Sequence, residues 1–202
     1  MILDLQEHIL KRLPRNARAG TARLLCCQFA ILFEDEITIY TKDADLPDEV
    51  LQRWYLTLTN SERTIVMDVR TGAGDLRHVQ WLRQQDPSCP LNGITCVLAA
   101  WKGHLKVLKW LRAQDPPYPW DENTCMYAAD GGHLEVMKWL RAQDPPCFWN
   151  GFMCTFAAAT EGHLEVLQWL RAQEPPCPWN RYGLLMHTGL SDEIRSWIST
   201  QV

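Results

Sequence analysis

The sequence lacks three features: a long apolar segment, an excess of basic residues and any motif of a common enzyme class. Its longest uncharged, mainly apolar run, residues 24–33, has ten residues, whereas a membrane-spanning helix needs about 20. Acidic residues outnumber basic ones, 24 to 20, with 10 and 7 up to Glu62 and 14 and 13 after it. Because nucleic acids attract positively charged proteins, we expect no nucleic-acid partner. Because the apolar run is too short to span a bilayer, we expect no membrane partner either.

Catalytic motifs are missing as well. There is no glycine-rich phosphate loop, no Gly-x-Ser-x-Gly, no His-Glu-x-x-His and no cluster of acidic metal ligands. The first residues, MILDLQEHILKRL, contain charges that interrupt the apolar centre of a secretory signal, and no Asn-x-Ser/Thr glycosylation site occurs. We therefore expect an intracellular protein without catalytic residues, metal or cofactor, located in the cytoplasm, with the nucleus as the alternative.

Tryptophan and repetition are what the sequence has in abundance. Trp81, Trp110, Trp139 and Trp169 mark four similar segments that are 29, 29 and 30 residues apart, a period typical of stacked repeats. In each segment apolar residues recur at helical spacing, as in LEVMKWL at 134–140, which predicts a helix. This helix should end at the following Asp-Pro-Pro or Glu-Pro-Pro, because proline disfavours a helical conformation in the residue before it.

A shorter, alanine-rich segment precedes each of these helices, as in TCVLAAWKG at 95–103, and it ends with a glycine at which the chain can reverse. We expect it to form helix A of a helical hairpin, with the tryptophan-containing helix as helix B. One hairpin leaves its apolar face uncovered, so consecutive hairpins must stack and share a core. The sequence thus predicts an all-α, mostly helical fold of stacked helix-turn-helix repeats, closed by a polar terminal cap that contains Ile194 and Trp197.

Residues 65–202 resemble the ankyrin-repeat family. The resemblance rests on three segments, AAWKGHLKVLKWL (99–111), AADGGHLEVMKWL (128–140) and AAATEGHLEVLQWL (157–170). They are similar to the family's alanine pair, Gly-His turn and second helix. The resemblance implies a protein-binding scaffold without catalysis, built as an ankyrin-type solenoid over residues 63–202. The period is about four residues shorter than the usual 33, and a Pro-Pro-x-x-Trp-Asn/Asp connection replaces the family's long hairpin, so short loops are expected.

The first 62 residues lack the repeat, and a small helical region is predicted there. Residues 3–33 faintly resemble an F-box, with two apolar helical segments separated by a proline but without the usual Leu-Pro opening. An F-box would imply a substrate adaptor of a cullin-type ubiquitin ligase, which recruits the ligase's adaptor subunit through residues 1–45. The alternative is a region that caps the first repeat.

Cysteine and histidine recur in register, which raises the question of a metal site. Cys96, Cys125 and Cys154 share one repeat position, and His133 marks another that is histidine in three copies. Equivalent residues of stacked helices lie about 8–10 Å apart, too far for thiolates that share a zinc ion at about 2.3 Å. The same spacing exceeds the limit of about 7 Å between the Cα atoms of a disulfide. We expect buried thiols, and histidines that cap the turns.

The positions that vary between copies indicate where a partner would bind. Helix B and the Pro-Pro stop barely change, whereas the loop tips and helix A vary, and these line the concave face of an ankyrin-type stack. Aromatic and charged residues there are typical of interface hot spots. The alternative is that these positions vary because nothing constrains them. The predicted partner-binding residues are Trp101, Lys102, Glu122, Met126, Tyr127, Asp130, Phe152, Phe156, Arg181 and Tyr182.

Overall fold

The structure, a computed structural model, describes residues 55, 56 and 58–201, and within them the chain is all-helical. The F-box-like segment and most of the predicted N-terminal region lie outside these residues. The described part of the chain contains ten α-helices and no strand. They are α1 (Asn60–Gly72), α2 (Leu76–Gln84), α3 (Gly93–Trp101), α4 (Leu105–Arg112), α5 (Glu122–Asp130), α6 (Leu134–Arg141), α7 (Gly151–Thr160), α8 (Leu164–Arg171), α9 (Arg181–Met186) and α10 (Asp192–Thr200).

The described residues belong to two compact units. The first contains the residues up to Arg70 together with Arg77–Pro90. The second contains Thr71–Leu76 and the residues from Leu91 onward. All ten predicted partner-binding residues lie in the second unit.

In the first unit a buried tyrosine joins the segment before α1 to the loop after α2. The Tyr55 hydroxyl donates a hydrogen bond to the carbonyl of Pro87 at 3.1 Å, and its ring meets the Trp81 indole edge-on at 5.8 Å. The Arg63 guanidinium lies 4.7 Å from the centre of the Tyr55 ring. Because Tyr55 is fully buried, these contacts fix the segment before α1 against the segment around α2.

In the second unit helix A and helix B alternate as the sequence predicts. Helices α3, α5 and α7 are A helices, each is followed by its B helix, and α9 and α10 form the last pair. Each A helix contacts the B helix of its own hairpin and the A helix of the neighbouring hairpin. The B helices end at Arg112, Arg141 and Arg171, ahead of the acidic residue that precedes Pro-Pro, which confirms the predicted stop.

Each A helix of the second unit begins at a capping residue. The side-chain oxygens of Asn92, Asn150 and Asn180 accept a hydrogen bond from a backbone N–H in the first helical turn. Asp121 and Thr124 form a reciprocal capping box in the same place. Such caps stabilise a helix by about 1 kcal/mol each, so every A helix has a defined first residue.

The turn between helix A and helix B carries a histidine that reaches the preceding hairpin. His163 Nε2 is hydrogen-bonded to the carbonyl of Asp130 at 2.7 Å, and His104 Nε2 to the carbonyl of Gly72 at 3.0 Å. None of the histidines makes a side-chain cap hydrogen bond to the helix B that follows it, so the turn that His104 and His163 cap is that of the preceding hairpin. The space they occupy exists because a glycine stands at the facing turn: a Cβ on Gly132 would lie 2.5 Å from the His163 ring.

Candidate protein-interaction surface

One face of helix A points away from the core in every hairpin of the second unit. The second and sixth residues of helix A lie about one turn apart and share this face. One or both positions carry an exposed apolar side chain on α3, α5, α7 and α9, with exposed fractions from 37% for Tyr127 to 82% for Met186. We call the exposed apolar members of this face, with neighbouring Met153, the apolar row: Ile94, Tyr127, Phe152, Met153, Phe156, Tyr182 and Met186.

The opposite face of helix A carries small, buried side chains. These side chains determine the direction in which the apolar row points. On α5, Cys125, Ala128 and Ala129 are fully buried, facing a core that includes Val136 and Met137 of helix B. Small side chains let two helices approach closely and leave no room for the outward residues. A rotation of helix A that buried the row would therefore both overpack the core and expose the cysteine and alanines.

A charged and aromatic cluster lies where α3 and α5 end. The indole N–H of Trp101 donates to the Asp130 carboxylate at 2.8 Å, and the Trp101 ring meets the Tyr127 ring at 6.1 Å. The Lys102 ammonium lies 4.0 Å from the centre of the Trp101 ring. The structure thus brings together four of the predicted partner-binding residues. Trp101 itself is half-buried and joins two hairpins, so it has a packing role in addition to any role at the surface.

The remaining predicted residues differ in how much surface they offer. Phe152 and Phe156 are exposed on α7, and the Phe156 ring also meets the His187 ring at 5.9 Å. Glu122 is exposed in the first turn of α5, where its negative charge complements the helix dipole. Met126 is half-buried. Phe152 and Phe156 are therefore the predicted pair that best forms a continuous apolar surface.

Arg181 contributes less to this surface than predicted, because its guanidinium is committed to the end of α10. It donates to the carbonyls of Ile198 and Ser199 at 3.2 and 2.9 Å. A cation at the last carbonyls of a helix complements the negative end of the dipole. Arg181 therefore holds the last two helices together, while Tyr182 beside it is 77% exposed.

Three members of the row, Ile94, Met153 and Met186, are absent from the predicted set. Periodicity alone could have identified two of them, because Ile94 occupies the helix position of Phe152 and Met186 follows Tyr182 by one turn. Met153 has no such signal, since the threonines at its position in α3 and α5 are buried.

A ladder of arginine and tryptophan joins the hairpins on the side of the proline loops. The Arg141 guanidinium lies 4.4 Å from the ring centre of Trp149, which meets Trp169 of the next helix B at 6.0 Å. Arg141 also donates to the carbonyl of Cys147 at 2.7 Å. The loop tryptophan thus contacts an arginine on one side and a tryptophan of the next hairpin on the other, and these contacts hold the two hairpins together. The same arrangement occurs in Arg112–Trp120–Trp139 and Arg171–Trp179–Trp197.

Neither a metal site nor a membrane span is found in the described part of the chain. No three His, Cys, Asp or Glu side chains there are placed to hold a metal ion, and no helix there is long and apolar enough to cross a bilayer. No protein-family model, curated protein or solved structure matches the chain. The geometry of its own residues is therefore the basis for a functional proposal.

Proposed function

We propose that this chain is a non-enzymatic scaffold in which an ankyrin-type solenoid presents the apolar row to a partner protein. The observation that carries the proposal is the alignment of six exposed apolar side chains on one face of four consecutive A helices, with Met153 exposed beside them. Soluble proteins seldom expose large apolar patches that do not serve binding, and aromatic residues and methionine are enriched in protein interfaces. Binding rather than catalysis is what such a surface can do.

Preorganisation supports the same proposal. The row lies on capped helices whose turns and loops are bonded to neighbouring hairpins, through His163 at one end and Trp149 at the other. Ordering a flexible side chain on binding costs about 0.5–1.5 kcal/mol. A row whose backbone is already fixed avoids the larger cost of ordering the chain, so more of the contact energy is available as affinity.

The ankyrin-type part of the proposal is supported by the packing within the second unit. A helices contact A helices of neighbouring hairpins, the alanine pair faces inward, and Gly103 and Gly132 adopt positive φ at the Gly-His turn. These are the features that the resemblance implies for a stacked solenoid. The loops, which carry the Arg-Trp ladder, are where the chain departs from that pattern.

The test is a triple variant, Tyr127→Ser, Phe152→Ser and Phe156→Ser, in the full chain. Partners captured from a lysate are quantified by mass spectrometry, and the partner identified is then titrated against both proteins. A single hot-spot residue is worth about 2 kcal/mol or more, so we expect affinity to fall at least about tenfold.

The matched control changes the equivalent exposed positions of three B helices, Lys109→Ser, Lys138→Ser and Gln168→Ser. We expect this protein to keep its affinity, and circular dichroism checks that both variants remain helical. Unchanged binding by a folded row variant, or an equal loss in the control, would remove the row from consideration.

The F-box hypothesis for residues 3–33 stays a prediction, since these residues lie outside the described part of the chain. Under it, the scaffold would present its target to a cullin-type ubiquitin ligase. Co-purification of the ligase's adaptor subunit with the full chain, and its loss on removal of residues 1–45, is the measurement that tests this hypothesis. A cap of the first repeat would recruit no such subunit.

A further inference from the structure

A carboxylate is held at the edge of the apolar row. Asp130 is the last residue of α5 and lies one turn after Tyr127 on the same side of the helix. One of its carboxylate oxygens accepts the indole N–H of Trp101 at 2.8 Å. Asp130 is half-buried, and the residue that follows it is Gly131, which has no side chain to cover the carboxylate. The carboxylate is therefore held in one position and remains partly exposed.

The negative charge of Asp130 stands at the less favourable end of its helix. The C-terminal end of a helix carries a partial negative charge, which favours cations and disfavours carboxylates. Helix α6 follows this rule, with Glu135 in its first turn and Arg141 in its last. Helix α5, which is described in full, has no basic residue in its last turn and has Asp130 there instead. Residues that break a local rule in this way are expected at functional positions.

No neighbouring cation balances this charge. Among the described residues, no lysine, arginine or histidine forms an ion pair with Asp130. The Lys102 ammonium lies over the Trp101 ring, 4.0 Å from its centre, and Arg181 is bonded to the end of α10. Glu161, the C-cap residue of α7, adds an exposed carboxylate at the same end of helix A. This end of the row therefore attracts a cationic group of a partner.

We propose that the ligand of the apolar row is a peptide segment that carries apolar side chains and one arginine, and that Asp130 binds the arginine. The proposal rests on the scaffold function proposed above and adds the chemistry of its ligand. The guanidinium donates to the carboxylate lone pairs that Trp101 does not use, and its flat face packs on the ring of Tyr127, which is 37% exposed. Lysine fits less well, because its ammonium is more strongly hydrated and has no flat face.

The neighbouring copies show what one such arginine contributes. The position of Asp130 is Trp101 in α3 and Thr160 in α7, so neither of these copies has a carboxylate there. Exposed apolar side chains, in contrast, recur on α3, α5, α7 and α9. A ligand with apolar side chains alone can bind in several registers at similar affinity. A carboxylate on one hairpin selects the register in which the arginine of the ligand meets it.

The experiment selects binders from a random-peptide phage library with the immobilised full chain. We expect the selected peptides to be enriched in apolar residues and in arginine. One of them is then synthesised with arginine and with citrulline, the uncharged analogue of arginine, and both peptides are titrated against wild type and Asp130→Asn. Asparagine keeps an oxygen that can accept the Trp101 N–H, and circular dichroism checks the fold. The matched control, Glu165→Gln, removes an exposed carboxylate of helix B.

Citrulline should weaken binding to the wild type and to Glu165→Gln about tenfold, the worth of a hydrogen bond to a charged group. The two peptides should bind Asp130→Asn with equal affinity, because the group that distinguishes them is absent. An equal loss with citrulline in wild type and Asp130→Asn would overturn the proposal. If Asp130→Asn fails to fold, the wild type alone decides: citrulline and arginine peptides that bind it equally overturn the proposal.

The triple variant of the apolar row separates this proposal from the scaffold function. Peptides that lose affinity for Tyr127→Ser, Phe152→Ser and Phe156→Ser protein, but bind wild type and Asp130→Asn equally, contradict the arginine site and leave the row as a binding surface. Peptides that bind the triple variant as tightly as the wild type contradict both proposals.

Discussion

Replacing Gly132 by alanine should destabilise the protein more than replacing Gly162, although the two glycines have similar backbone conformations. Their φ angles are +74° and +88°, in the left-handed region. A Cβ on Gly132 would lie 2.5 Å from the His163 ring, whereas a Cβ on Gly162 would have nothing within 4 Å. No ring lies near Gly162 because Ser191, in the last helix pair, occupies the position that is histidine in the other hairpins of the second unit.

The magnitude follows from two costs. A left-handed alanine costs about 1–2 kcal/mol at either position. At Gly132 the His163 ring must also retreat by roughly 1 Å to restore van der Waals contact, which breaks its 2.7 Å hydrogen bond to the carbonyl of Asp130. A group left without its partner in a partly buried position costs about 1–3 kcal/mol. We therefore expect losses of about 1–2 kcal/mol for Gly162→Ala and about 2–5 kcal/mol for Gly132→Ala.

Urea unfolding followed by circular dichroism measures both free energies of unfolding. The same comparison in a His163→Ala background completes a double-mutant cycle. In that background the ring is absent, so Gly132→Ala and Gly162→Ala should cost nearly the same. If the two substitutions already cost the same in the wild-type background, the contact between Gly132 and His163 does not hold the hairpins together.

Two further predictions concern the other contacts between hairpins. Burial lowers the pKa of His133, so the unfolded chain binds a proton more readily than the folded one, and the free energy of unfolding should fall as pH drops below about 6.5. Urea midpoints across this range measure the fall, and a His133→Gln variant that kept the full dependence would contradict the assignment. Trp149→Ala removes the ring between Arg141 and Trp169 and should lower the free energy of unfolding by about 1–3 kcal/mol. The control, Phe148→Ala, changes the exposed neighbour and should lower it by less than about 0.5 kcal/mol. Thermal unfolding compares the two variants, and equal losses would argue against the ladder.

The helices and their ends could be predicted from the sequence because their causes are local. The spacing of Val136, Met137 and Leu140 requires only that an apolar stripe face a core, and all three are buried. Asp144 ends up outside its helix because of the proline that follows it. Such signals involve residues within a few positions of each other, which is the distance over which a sequence pattern can be interpreted without a structure.

The contacts between hairpins could not be predicted in this way. His163 is hydrogen-bonded to a carbonyl 33 residues earlier, and Trp101 to the carboxylate of Asp130, 29 residues later. Periodicity shows that equivalent residues recur but not which neighbour each side chain contacts. The repeat could therefore place histidine at a turn, yet it could not distinguish a cap of that turn from a bond to the turn before it.

The fourth repeat has one residue more than the others, and its helix A shows where that residue is accommodated. Helix α7 has 10 residues where α3 and α5 have 9, yet His163 still reaches the preceding hairpin. The insertion is therefore absorbed at the C-terminal end of helix A, while the distance from the capping residue Asn150 to Phe152 and Phe156 is unchanged. In the hairpins that carry the histidine, contacts at the Gly-His turn and at the Arg-Trp ladder fix the hairpin at two separated points, which restrains rotation as well as translation. The direction in which the apolar row points thus depends on the histidine contacts, the Arg-Trp ladder and the caps, and one extra residue at the C-terminal end of α7 leaves these contacts in place.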